Sequence, residues 1–168
     1  MKIGIFYGSS TGNAELIADR LQAEFGEENA DVHNIDAADK AEVEQYDYLI
    51  FGTSTWGIGD MQDDWEDFSD DLKEIDLSSK KVALYGLGDQ EVYADSFVDG
   101  MGHLYNLIAK NTTVVGEWPA KDYRHSDSIA IKKGKFVGLA IDYDNDNDKG
   151  KVEQQIKDWV TLLKKDFK

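Results

Sequence analysis

Short apolar runs alternate along this chain with stretches in which apolar residues recur at helical spacing. The strand-like runs cover residues 2–7, 31–35, 48–53, 81–85 and 113–118, and a further run covers 136–141. Tyr48-Leu49-Ile50-Phe51 is apolar at every position, the pattern of a strand covered on both faces. A helical pattern fills residues 14–25. Phe97, Met101, Leu104, Tyr105 and Ile108 recur at helical intervals, as do Val152, Ile156, Trp159, Val160, Leu163 and Phe167. Met61, Trp65, Phe68 and Leu72 form a narrower stripe. Such stripes pack cores, so Trp65 and Trp159 are assigned to the interior and not to a site. Strands alternating with helices predict an α/β fold, a single three-layer, doubly wound, five-stranded parallel sheet with residues 1–168 as one domain.

One stretch breaks the rhythm. The polar segment 119–135 separates the runs 113–118 and 136–141, so either a sixth strand follows or one last strand is split. Uninterrupted loops of that length are uncommon in compact domains. The pattern is therefore read as a last strand split by an insertion at about 119–135.

Composition narrows the partners. Lys+Arg of 18 against Asp+Glu of 34 leaves a formal net charge of −16. With 41% hydrophobic residues the chain can build a core, so the charge is read as surface. A field of this sign repels nucleic acid and anionic membrane and steers basic protein partners. The absence of cysteine rules out disulfides, thiol chemistry and cysteine-held metal sites. The apolar runs are far shorter than a membrane span, and Met1-Lys2-Ile3 does not begin a signal peptide. A soluble cytoplasmic protein is expected.

The turn Gly8-Ser9-Ser10-Thr11-Gly12-Asn13 joins the first strand run to the first helix. A glycine- and hydroxyl-rich turn here aims backbone N–H groups and a helix N-terminus at one point, which makes a phosphate cradle. It has neither the lysine of a Walker loop nor the G-x-G-x-x-G spacing of a dinucleotide turn. No Lys or Arg lies between Lys2 and Arg20, so a phosphate would be held by neutral donors. A capped helix start without a ligand is the alternative for this turn taken alone.

Two more loops follow strands, Thr53-Ser54-Thr55-Trp56-Gly57-Ile58-Gly59-Asp60 and Gly86-Leu87-Gly88-Asp89-Gln90-Glu91-Val92-Tyr93. In a doubly wound sheet, ligands sit outside the carboxyl ends of the strands, where the strand order reverses. Each loop sets one aromatic, Trp56 or Tyr93, among glycines and polar residues with little to pack on. Two such rings can hold a flat heteroaromatic by offset stacking, each contact worth about 0.5–1.5 kcal/mol beyond area burial. A phosphate plus a stacked planar ring describes a mononucleotide.

On these loops the chain resembles the long-chain flavodoxins, and the likeness runs across almost all of it. Ser9-Ser10-Thr11-Gly12-Asn13-Ala14 fits the family's S/T-x-T-G-x-T phosphate loop except at Ala14. Ser54-Thr55-Trp56-Gly57-Ile58-Gly59 fits P-T-W-x-x-G with serine for proline, and Gly88 to Tyr93 matches G-D-Q-x-x-Y in full. Residues 136–145 resemble the long-chain strand that resumes after the insertion. The resemblance implies strand order 2-1-3-4-5 with FMN at the switch point; flavodoxin is itself the standard example of that placement. It implies that Thr11, Gly12 and Asn13 donate to the FMN phosphate, with Ser9, Ser10 and Thr55 adding hydroxyls. Ala14 withholds one hydroxyl, a loss of at most about 1.5–3 kcal/mol. Trp56 and Tyr93 would flank the isoalloxazine, and backbone groups near Gly59, Gly88, Asp89 and Gln90 would meet its pyrimidine edge. Asp144 would meet the ribityl chain, and Thr53, Ser54, Ile58, Gly86 and Leu87 complete the cofactor contacts.

No side chain in these loops looks like a general acid or base for a substrate, so the flavin carries the chemistry and the protein sets its potential. The implied function is a low-potential one-electron carrier, not an enzyme, in which non-covalent FMN passes between oxidised, semiquinone and hydroquinone forms. Full reduction leaves an anionic flavin. Asp60, Asp63, Asp64, Glu66, Asp67, Asp70, Asp71 and Glu74, opposed only by Lys73, disfavour that last electron. In the family the peptide after the tryptophan, here Gly57-Ile58, turns its carbonyl toward flavin N5, and the turn wants positive φ at Gly57. Replacing Gly57 by Ala or Asn is expected to cost about 1–2 kcal/mol, or roughly 45–85 mV at about 59 mV per tenfold.

The implied partners are basic-faced redox proteins, such as a flavodoxin reductase and acceptor enzymes, meeting a monomer. The alternative is an FMN-dependent NAD(P)H quinone reductase on the same fold, which needs a basic nicotinamide pocket not evident in this sequence. A signalling receiver domain shares the topology but needs clustered acids after the first strand, where Tyr7-Gly8-Ser9 stands. Asp142, Asp144, Asp146, Asp148 and Glu153 approach a calcium-loop template, but Asn147 stands where glycine is required; the segment is read as a solvated turn. His33, His103 and His125 lack metal-ligand spacing and read as structural or exposed. Lys132, Lys133 and Lys135 make a small basic cluster in the insertion, read as a surface loop with a partner contact as the alternative.

Overall fold

The computed structural model describes residues 1–146 and 150–168. Strand β1 (Ile3–Gly8) leads into helix α1 (Asn13–Phe25), followed by β2 (Ala30–Asn34), α2 (Lys40–Glu44) and β3 (Tyr48–Trp56). A two-residue strand β4 (Asp60–Met61) folds back on β3 before α3 (Asp63–Glu74), β5 (Lys81–Leu87) and α4 (Asp99–Ile108). The chain continues through β6 (Thr113–Val115), β7 (Trp118–Pro119), β8 (Ile131–Lys132), β9 (Lys135–Phe136) and β10 (Leu139–Ile141). It finishes with α5 (Tyr143–Asp146) and α6 (Lys151–Asp166).

The parallel sheet runs β2-β1-β3-β5, and the far edge of β5 is shared between two short strands. β6 pairs its first half, from Lys81↔Thr113, and β10 pairs its second half, up to Leu87↔Ile141. These are two halves of one fifth strand, so the order is 2-1-3-4-5 with the last strand split. The excursion is longer than the 119–135 expected. It leaves after Val115 and returns at Leu139, and inside it β7, β9 and β8 form a separate antiparallel sheet. Trp118 and Phe136, expected in the last strand, face each other in that small sheet. Gly116 makes the break: its φ is +82°, and a Cβ there would stand 2.8 Å from Leu163 Cδ2.

Successive strand residues point to opposite faces, so two cores form. Phe6, Phe51, Leu84, Trp65, Phe68 and Leu104 pack on one side; Ile5, Ile50, Tyr85, Ile17, Leu21 and Trp159 pack on the other. Trp65 and Trp159 are fully buried, and each indole N–H donates at 2.8 Å to a backbone carbonyl, of Gly52 and Gly116 respectively. Helix starts differ from the apolar pattern in two places. Met61 lies in β4, and α3 begins only after Gln62, whose Oε1 accepts from Trp65 N–H at 3.3 Å. Phe97 precedes α4, because Val98 takes left-handed backbone (φ 50°) at the helix start. Helix α2 carries a capping box of Asp39 and Glu42, a signal present in the sequence but too short for periodicity to reveal. Among the described residues no helix is long and apolar enough to cross a membrane.

Candidate functional site

The carboxyl ends of β1, β3, β5 and β10 deliver their loops to one slot. Thr11, Asn13, Ser54, Thr55, Trp56, Leu87, Gly88, Asp89, Tyr93, Tyr143 and Asp144 line it. Its volume of 140 Å³ is well below the roughly 300–1,000 Å³ of pockets that engulf a small molecule.

One end of the slot is a bare helix start. Gly12 caps α1 with φ 90°, and no side chain caps the first turn. The first backbone donor satisfied within the helix is Leu16 N–H, bonded to Gly12 O at 3.0 Å, so the amides before it face outward. Ser9 Oγ accepts from Gly12 N–H at 2.9 Å and curls the turn, while Ser10 Oγ receives Gln62 Nε2 at 3.4 Å. A Cβ at Gly12 would meet nothing within 4 Å, so glycine is there for its φ and not for room.

The other end is aromatic. Trp56 and Tyr93 are 46% and 44% exposed, and Ile58 and Val92 stand out beside them. Ser54 Oγ is buried in the slot wall without a hydrogen-bond partner, a cost that a ligand's polar group would relieve. Thr55 Oγ1 accepts from Gly100 N–H at 3.0 Å, tying this loop to the start of α4. The turn from Gly57 to Gly59 closes a hairpin between Trp56 and Asp60, with φ +52° at Gly57 and +87° at Gly59. His103 Nε2 donates to Gly59 O at 2.8 Å.

Two carboxylates at the slot shift in opposite directions. Burial pushes Asp89 up, but N–H bonds from Val92 and Glu91 and the Asn145 amide outweigh it and hold the carboxyl below its ordinary range. Asp144 is pushed above the ordinary range by burial and by the neighbouring Asp89 and Asp142 charges.

Not every expected residue reaches the slot. Thr53 is fully buried and its hydroxyl donates to Ser54 O at 2.9 Å. Gln90 is buried with its N–H on Asp142 Oδ2 at 3.2 Å and its side chain turned to Arg124 N–H and Asp146. Its role is to tie the third loop to the insertion. Gly86 lies under α4, where a Cβ would be 2.6 Å from Met101 Cβ, and Ala14 is packed in the core below the helix start. Ile58 points to solvent. Tyr143 lines the slot, and Gln62 and His103 brace its loops, beyond the residues expected from the sequence; of the three, Tyr143, aromatic and adjacent to Asp144, carries a signal legible in the sequence.

The calcium-loop template is not realised by the carboxylates that the structure describes. Residues Tyr143–Asp146 form a helical turn, Asp146 pairs with Lys151 at 3.2 Å and Arg124 at 3.6 Å, and Glu153 pairs with Arg20. Asp148 and Asn147 lie outside the described residues.

The flavodoxin family model matches residues 5–159. The flavodoxin of Synechococcus elongatus is 45% identical over 168 residues, covering 99% of this chain and 98% of the relative. That of Synechocystis is 47% identical over 165 residues, covering 97% and 96%. A crystal structure of Fusobacterium nucleatum flavodoxin bound to flavin mononucleotide superposes with a TM-score of 0.93 at 33% identity, covering 99% of both chains. Sequence, strand order and the architecture of the slot agree: this chain belongs to the flavodoxin family.

Proposed function

We propose that the chain is a single FMN-binding domain that serves as a low-potential one-electron carrier. The observation that carries the reading is the convergence, in one slot, of an uncapped helix start, a partnerless buried hydroxyl and two half-exposed aromatic rings. Bound FMN would supply the one-electron chemistry. The amides at Thr11 and Asn13, with the hydroxyls of Ser9, Ser10 and Thr55, would hold its phosphate without a cationic side chain, while the Gly12 N–H, expected to donate as well, is taken up by Ser9 Oγ. Trp56 and Tyr93 would flank the ring, Ser54 Oγ would find a polar partner, and Gly59, Gly88 and Asp89 would offer backbone groups at the ring edge. Asp144 would sit at the ribityl chain.

The chain's acids act on the electron itself. Asp89 and Asp144 line the slot, and Asp60 with Asp63 and Glu66 of α3 lines the groove on the other side of Trp56; negative charge near a reduced ring would raise the cost of the second electron. Those acids stand beside exposed Trp56 and Tyr93, a face that would suit a basic-faced reductase or acceptor docking transiently on a monomer. A cytoplasmic location accords with this role.

Titrating the FMN-free chain with FMN tests the reading: flavin fluorescence is expected to quench at one equivalent, and stepwise reduction to resolve into two one-electron waves. A chain that leaves FMN fluorescence unchanged overturns it. Rapid bleaching of the loaded protein by NAD(P)H without a reductase would favour a quinone reductase instead.

A further inference from the structure

The turn after Trp56 is held unevenly. Gly57 and Ile58 are exposed, and only Asp60 Oδ2 comes within 4 Å of where a Gly57 Cβ would stand. Gly59 is buried, and its carbonyl accepts from His103 at 2.8 Å. A carbonyl can only accept, so Nε2 of the imidazole carries the proton. One helical turn earlier on α4 stands Asp99, whose Oδ1 accepts from Ile129 N–H at 2.9 Å and whose Oδ2 would lie 2.8 Å from a Cβ at Gly59. Between them Gly100 N–H donates to Thr55 Oγ1. Helix α4 therefore grips the hairpin at its stem, Thr55, and at its far end, Gly59. Among the described residues no hydrogen bond holds the peptide between Gly57 and Ile58.

His103 faces a groove of 690 Å³ on the outer side of Trp56, where Asp60 from the hairpin and Asp63, Glu66 and Lys73 from α3 are the charged neighbours. None of these is bonded to the imidazole among the described contacts, so its one hydrogen bond to the fold is the one to Gly59.

We propose that His103 is a positioning residue for electron transfer, anchoring Gly59 so that rotation in the turn is confined to the Gly57–Ile58 peptide. The inference rests on the FMN-carrier reading. With FMN bound, the Gly57–Ile58 carbonyl would be oriented to accept an N–H at ring atom N5 when one electron from the reducing partner or titrant and one proton from solvent are taken up. An anchored turn has fewer orientations to surrender when it orders, so it loses less conformational entropy. Release of Gly59 makes the first electron less favourable. Once ordered, the turn would have no further orientation to lose, so the second couple would not depend on the anchor.

Potentiometric titration of the FMN-loaded protein and three variants tests this. His103→Leu has no donor, and His103→Asn has an amide one methylene too short to reach Gly59. Both are expected to lower the equilibrium constant of the first reduction about fivefold, a net loss typical of one neutral hydrogen bond, or about 40 mV at about 59 mV per tenfold. The second reduction should stay within about twofold, and affinity for oxidised FMN within about threefold. His103→Gln, whose amide nitrogen reaches as far as the imidazole Nε2, should restore the wild-type first potential. An unmoved first couple in Leu and Asn, equal movement of both couples, or a Gln variant as displaced as Leu overturns the proposal. Normal FMN uptake with unmoved potentials overturns the role of His103 alone, whereas a wild-type chain that takes up no FMN overturns the carrier reading with it.

Discussion

The two ends of the parallel sheet are built on opposite rules. At the amino ends of the strands, polar groups are tied off. Lys80 is 7% exposed and its ammonium donates to Glu44 O at 2.8 Å and Tyr46 O at 2.7 Å. Lys81 reaches the carbonyls of Asp166 and Lys168 near the end of the chain. Asp31 is held by Lys2 at 3.0 Å and by the Tyr46 hydroxyl at 2.8 Å; burial pushes its carboxyl up, but those two bonds outweigh it and keep it low. At the carboxyl ends the helix start is bare, Ser54 Oγ has no partner and two large rings stand half in water. Strand β3 runs between the two regimes, from beside the Lys80 network to Trp56. Unsatisfied groups lower stability, so a ligand that gave Ser54 Oγ and the helix start their partners would recover part of that cost.

Removing both rings breaks the comparison most severely. The double variant Trp56→Ala with Tyr93→Ala is expected to weaken FMN binding about 100-fold, about 2.8 kcal/mol at about 1.4 kcal/mol per tenfold. Fluorescence titration reads this, and the FMN-free chain should melt no lower than wild type, since the rings stabilise little while exposed. Lys80→Met does the converse. Losing charge-assisted bonds to two carbonyls should cost about 2–3 kcal/mol in urea unfolding, while FMN affinity of the folded chain stays within about twofold.

Gly57→Ala sharpens the picture at the boundary between stability and function. Gly57 takes φ +52° in this fold, so part of the strain falls on folding itself. The first reduction potential should therefore move by the lower figure, about 45 mV, corresponding to about 1 kcal/mol at about 59 mV per tenfold. Gly57→Asn should move it less, because asparagine tolerates left-handed backbone and the nearest atom to a new Cβ, Asp60 Oδ2 at 3.2 Å, can swing away. The smallest effect is expected at Asp144. Its folded carboxyl titrates above the ordinary value, so ionisation destabilises the fold above that raised pKa and the penalty fades as pH falls through it. Asp144→Asn should be slightly more stable than wild type at pH 7, and the difference should vanish in acid. Asp89 runs the other way: its hydrogen bonds stabilise the fold above the ordinary carboxylate range and that contribution is lost as pH falls through its lowered pKa.

Periodicity along the chain was enough for the five-strand α/β plan, because a strand buried on both faces must be apolar throughout and a helix on a sheet must carry a stripe. The loop chemistry was legible for a similar reason. A turn that presents amides needs glycine and hydroxyls, and Ser9 to Asn13 displays them without any tertiary information. Boundaries inside the insertion were not legible. Trp118 and Phe136 are as apolar as strand residues of the main sheet, and only Gly116 packing beneath Trp159 and Leu163 turns the chain away.

Residue types and their spacing determined the architecture, the glycine- and hydroxyl-rich first turn and the pair of aromatic loops, because each follows from what a backbone or a ring requires locally. Tertiary structure alone decided which groups have partners. It turned Gln90 to the insertion, buried the Thr53 hydroxyl, left Ser54 Oγ alone and brought His103 to Gly59, 44 residues away in sequence. Hydrogen bonds between distant segments depend on how helices seat against the sheet, and that seating is set by packing over the whole core, which no short stretch of sequence encodes.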